Sequence, residues 1–254
     1  MNKFDYQETL SLAISIYKTS YKITFALAFM LSFVSEYFYV YMMKHGFMQY
    51  VESNGKTIPE NFPSSGNILS MALVIILGNL LVNALIILIQ GIMIKNDIKA
   101  SDSIKIALQM FSKRVMSFTG AFMLSVIIMS VLSMFIQYIG MYITVMLFLT
   151  VMPAVLIDKK SVFEAVIDNF HIIRTNFFYM FRVSLTIITL MILKPILSLL
   201  ITYILTTLGV EVNPLENSIQ NIILVAADSV IIPFLFALSV ATFYYTKDHS
   251  RDTE

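Results

Sequence analysis

Val183–Leu205 reads VSLTIITLMILKPILSLLITYIL, and its only charge, Lys194, has eleven uncharged residues on either side. Twenty-three such residues match the length needed to cross a bilayer as a helix. An isolated lysine at the centre of a bilayer costs roughly 2.5–3.5 kcal/mol on insertion scales, so Lys194 is expected to face protein and to have a partner. Pro195 lacks the N–H that would reach the Met191 carbonyl, leaving an acceptor free beside the charge. Thr186, Lys194, Ser198 and Thr202 recur at multiples of four, which places them on one inward stripe.

Upstream, Ser161-Val162-Phe163-Glu164 has the form of a capping box. The helix it opens puts Phe163, Val166, Ile167, Phe170, Ile173 and Phe177 on one face. Glu164, Asp168, Asn169, His171 and Thr175 fall on the other. Too polar to cross a bilayer, such a helix is expected to lie in the interface plane.

Equivalent apolar runs recur along the chain. With 58% hydrophobic and only 13% charged residues over 254 positions, the composition is that of an all-α membrane protein forming one polytopic unit. Six spans are expected, at about 23–43, 68–94, 115–136, 141–157, 183–205 and 218–245. Interfacial amphipathic helices are expected before spans 1, 3 and 5: residues 4–21, the segment around Ile104–Phe111, and the helix opened by Ser161. Surface helix plus hairpin, three times over, suggests an internal repeat. Asn54-Gly55 with Pro59 and Pro63 marks a turn-rich first connection, and Gln137–Gly140 a tight turn between spans 3 and 4. Span 3 is rich in small residues (Ser117, Gly120, Ala121, Ser125, Ser130, Ser133) that permit close helix contact.

The basic residues set the orientation. Fourteen lie on the side holding the termini and two, Lys44 and Lys56, on the other, so both termini are expected in the cytoplasm. The amino terminus shows no short apolar core followed by a small-residue cleavage site, hence no removable signal peptide is expected. Lys95, Lys99, Lys105, Lys113 and Arg114 fix this topology and also suit anionic lipid headgroups.

Chemistry is sparsely written. Without cysteine there is no disulfide and no thiolate ligand. His45, His171 and His249 sit on separate segments, and no phosphate-binding loop, nucleophile elbow or dinucleotide-binding glycine pattern occurs. The expectation is a protein that is not an enzyme, with no catalytic or metal-ligating set, no cofactor and no nucleic-acid partner. What remains is an intramembrane polar layer: Lys194, Asp228, Glu36, Asn79, Asn83 and Gln90. Counting residues from the span ends puts Asp228 and Glu36 at similar depth to Lys194. The short loop between spans 5 and 6 favours Asp228 as its partner, with Glu36 as the alternative.

Gly78-Asn79 followed by Gln90, Pro153 with Asp158-Lys159 and Phe163, then Arg174-Thr175-Asn176 and Lys194, resembles the YciC-like family of bacterial inner-membrane proteins. Where that family carries Pro-Gly before the fourth span, this chain has Ile139-Gly140. The resemblance implies a multi-pass protein of the bacterial inner membrane and assigns no activity. Two functional readings follow: a non-enzymatic protein of envelope or lipid homeostasis or an accessory to a larger complex, and a small-solute or ion transporter using the buried polar layer.

Overall fold

A computed structural model describes residues 4–95, 100–209 and 218–251. Helix dominates, and no strand occurs among the described residues. The elements are α1 (Tyr6–Lys44), α2 (Phe47–Glu52), α3 (Ser65–Lys95), α4 (Ala100–Ser112), α5 (Val115–Phe148), α6 (Val151–Ile157), α7 (Val162–Thr175), α8 (Phe177–Thr207) and α9 (Ser218–Arg251). Six segments are long and apolar enough to cross a membrane: Tyr6–Lys44, Ser65–Ile94, Val115–Ile136, Ile139–Ile157, Phe177–Thr207 and Gln220–His249. The chain is an integral membrane protein of all-α architecture.

The amino-terminal segment departs from expectation. Residues 4–21 do not form a separate surface helix; α1 runs unbroken for 39 residues from an Asp5 cap whose carboxylate accepts the Gln7 N–H. No glycine or proline interrupts it, so nothing ends the helix near Tyr21. Its amphipathic period is a packing stripe: Thr9, Ala13, Ile16, Ser20, Thr24, Ala28 and Leu31 are buried, largely against α9. Ser20 and Thr24 donate back to the Ile16 and Ser20 carbonyls, so their hydroxyls are satisfied inside that seam. The threefold repeat therefore fails in its first unit, while α4 and α7 do form separate helices before the third and fifth spans.

Spans 3 and 4 share α5, which folds back on itself. Residues eight apart on a straight helix are separated by about 12 Å. Yet a Cβ built on Gly140 would fall 2.5 Å from the Leu132 carbonyl carbon, so only glycine fits where the chain reverses. In the first connection Asn54 and Gly55 both take positive φ, 53° and 76°, giving the left-handed turn their sequence favours. The small residues of span 3 do not make the close face expected of them. Ala121 is buried, but Gly120 and Ser130 are exposed, and Ser125 and Ser130 donate to carbonyls of their own helix. The loop expected after span 5 falls mostly on residues 210–217, outside the described residues.

Asp5 N–H donates to Tyr245 Oη and Tyr245 Oη to Glu8 Oε2, so the two ends of the chain meet at one end of the bundle. This is called the termini end below. The core concentrates there, in Ala84–Ile89 without the exposed flanks of α3, in Val151–Leu156 and in Ala237–Tyr245.

Candidate functional site: a divided polar layer

α8 carries the polar stripe anticipated at Thr186, Lys194, Ser198 and Thr202, and each member meets another helix. Tyr6 Oη and Thr186 Oγ1 hydrogen-bond at 2.8 Å. Lys194 Nζ lies 2.6 Å from Asp228 Oδ2 of α9, with the carboxylate the more enclosed partner. Gln220 Nε2 donates to Ser198 Oγ and Thr202 Oγ1 at 3.3 and 3.2 Å. Glu36 of α1 forms no ion pair among the described residues but lies within electrostatic reach of both Lys194 and Asp228. One acid thus pairs with the base and a second lies within its electrostatic reach. The three come from the first, fifth and sixth spans, which the stripe on α8 and the seam between α1 and α9 hold together.

The amides do not join this cluster. Asn79 and Asn83 line a cavity of about 300 Å³ bounded by α3, the returning arm of α5, α6, α8 and α9. Asn79 Nδ2 donates to the Ile75 carbonyl of its own helix, leaving its carbonyl oxygen available. The Asn83 carboxamide has no hydrogen-bond partner among the described residues. Gln90 sits deeper toward the termini end, fully buried, with Nε2 donating to the Pro233 carbonyl at 2.7 Å. The six residues anticipated as one layer therefore form three groups: an ionic trio, a pair of amides on a cavity, and an interhelical clasp.

One residue lies on a different face from the one its polarity predicts. Asn169, expected among the polar residues of the α7 surface, is fully buried. Its Oδ1 accepts from Thr150 Oγ1 at 2.6 Å and from Thr150 N–H at 3.3 Å. Its Nδ2 donates to the carbonyls of Leu147 and Met146 at 2.7 and 3.1 Å. These are the backbone groups left open where α5 ends and α6 begins. Pro153 frees the Leu149 carbonyl by the same logic, and Ser239 Oγ of α9 donates to it at 2.5 Å. Pro153 was the available signal, since a proline inside an apolar span leaves an acceptor that some neighbour must satisfy. Unpaired, each such group in hydrocarbon costs several kcal/mol, on the order of a lost fold-defining contact.

Two further contacts tie the termini end. Lys247 pairs with Asp158, and Thr9 Oγ1 with Tyr179 Oη at 2.8 Å. On α7 the capping box forms as its sequence implies, with Ser161 N–H donating to Glu164 Oε2 at 2.8 Å. Those hydrogen bonds from Ser161, with Lys160 nearby, hold the Glu164 carboxyl below the usual carboxylate range. Phe163, Ile167 and Phe170 project outward, 77%, 66% and 57% exposed, an apolar face that only lipid or another protein would cover.

Fold and site together define a six-span integral membrane protein with a divided polar interior. No family model, curated protein or solved structure matches the chain.

Proposed function

We propose that the chain is a non-enzymatic protein of the bacterial inner membrane, YciC-like, acting in envelope or lipid homeostasis or as an accessory to a larger complex. The observation that carries this reading is α7. One helix, docked through buried Ala165, Asn169 and Ile173, offers phenylalanines on a second side and exposed Glu164, His171 and Thr175 on a third. That division of faces suits a membrane surface. Exposed Lys105, Lys113, Arg174 and Arg182 at the same end suit anionic headgroups, with both termini cytoplasmic.

Purification in native lipid, followed by mass spectrometry of bound lipids and proteins, tests the reading. Anionic lipid enriched over the bulk membrane, or a stoichiometric protein partner, supports it, and a retained polar solute overturns it in favour of transport. Transport is the second reading because Glu36, Lys194 and Asp228 meet inside the spans, where ionisable groups mark ion or solute paths. Orientation is tested separately with cysteines at Asn54 and His171. Only the first is expected to react with an impermeant thiol reagent outside intact cells, and the reverse pattern would put the termini outside.

A further inference from the structure

The cavity at Asn79 and Asn83 has the chemistry of a binding site. Both residues lie near the middle of the 31-residue α3, hence deep in the span. Asn83 brings a donor and an acceptor that nothing among the described residues engages, and Asn79 keeps its carbonyl oxygen. Most of the remaining wall is apolar, including Phe148, Met152 and Ile187. No charged side chain lines it, although Asp228 stands one helical turn from the lining residue Ile232. A charged headgroup therefore finds no counter-ion there, whereas a hydroxyl or carbonyl finds an amide.

Size narrows the occupant further. About 300 Å³ stands at the lower end of ligand pockets, room inside for one acyl-chain segment, so a second chain would have to remain outside in the bilayer. Access is lateral. α3 and α5 touch little, and Asn79, Asn83 and Val145 are only partly buried, so the cavity opens between these helices toward the bilayer. We propose that the cavity binds a neutral single-chain amphiphile from the bilayer. Its chain lies against Phe148, Met152 and Ile187, and its hydroxyl or carbonyl group on Asn83 and Asn79. This rests on the lipid-homeostasis reading only in taking the bilayer as the source.

The test uses the full chain in nanodiscs with a monoacylglycerol bearing a diazirine midway along its chain, and adducts mapped after irradiation. Adducts concentrate on Phe148, Met152 and Ile187 rather than on lipid-facing Leu199 and Leu200. Asn83→Leu, alike in branching and heavy-atom count but apolar, lowers the cavity adducts about fivefold, the loss expected of one hydrogen bond, and leaves those at Leu199 unchanged. Ile187→Trp, which fills the space, does the same, and if it does not fold Asn83→Leu carries the test alone. Excess unlabelled monoacylglycerol suppresses the cavity adducts and excess glycerol does not. Adducts no denser in the cavity than at Leu199, insensitivity to Asn83→Leu, or suppression by glycerol would each overturn the proposal. None of these outcomes bears on anionic lipid or partner retention, which reads the α7 end of the molecule.

Discussion

At the termini end, every residue from Ala84 to Ile89 and from Ala237 to Thr246 is buried. At the far end, Leu199 and Tyr203 of α8, Leu208 just beyond it, and Met134 and Phe135 of α5 are each more than two-thirds exposed. Cross-helix polar contacts are more frequent at the termini end, although Thr242 and Thr246 there donate to their own helix. The contacts near the termini join Asn169 to the α5–α6 break, Ser239 to the Leu149 carbonyl, Tyr245 to Glu8, and Thr9 to Tyr179. Toward the far end Ser70, Ser130, Thr206 and Thr207 return their hydroxyls to their own helices, and the cross-helix contact is that of Gln220 with Ser198 and Thr202. Water would punish the exposed half, but lipid is as apolar as leucine and does not. The comparison teaches that hydrophobic packing alone does not hold such a bundle together. Tertiary order is concentrated where backbone groups freed by breaks and prolines must be satisfied by another helix.

Breaking the stitched end should have the largest effect. Asn169→Ala leaves two carbonyls, an N–H and a hydroxyl without partners in a dry interior, and is expected to cost roughly 3–5 kcal/mol. Asn169→Asp keeps the acceptor but sets an anion against two carbonyls, and should fare no better. Thermal unfolding in detergent and folded yield measure both. Leu199→Ala at the exposed end should change little, and equal losses from the two sites would erase the contrast between the ends.

The ionic trio lies between the two regimes, and its removal should have an intermediate effect. Lys194→Met and Asp228→Asn each leave a charge without its partner and should each lower folded yield. Because a charge left alone in the span can still snorkel toward the interface, the loss should stay near 1–2 kcal/mol, below that for a fully buried pair. The double variant should recover much of it, by a coupling of order 1 kcal/mol. Additive losses would reject a stabilising pair. The same cycle with Glu36→Gln then shows whether the second acid shares the lysine.

The sequence carried the spans and the Lys194–Asp228 proximity for one reason: length and depth are counted in residues, and hydrocarbon tolerates no uncompensated charge. It carried the capping box because that device is local. Periodicity could not separate a helix stripe that meets water from one that meets another helix through serines and threonines, so residues 4–21 were expected as a surface helix and are the buried seam of α1. Asn169 was misplaced for a related reason. A helical wheel assigns faces by polarity, whereas this amide is buried because the helix break at Leu149–Thr150 needs its hydrogen bonds. The separation of Asn79 and Asn83 from the charged trio is likewise tertiary, since a residue count along a span says nothing of position around the bundle.

The smallest effect concerns α7, which joins both regimes: Asn169 anchors it inside and Glu164 caps it in water. The Glu164 carboxyl is held below the usual range of about 4.3 by the Ser161 hydrogen bonds. A group whose folded value is lowered contributes stability that is present above the unfolded value and is lost as pH falls through the folded one. A spin label at Phe163, beside the cap, should therefore gain mobility only as pH falls below the usual carboxylate range, where this lowered group protonates. A label at Ile172, one turn beyond the Asn169 anchor, should not, because that amide does not titrate in this range. Glu164→Gln should flatten the response at Phe163, while Asp168→Asn, which removes the pair with Lys160 at 2.5 Å, should leave it in place. An unchanged response in Glu164→Gln would assign the pH dependence to another group, and a parallel response at Ile172 would mean that the cap, and not Asn169, holds the helix to the bundle.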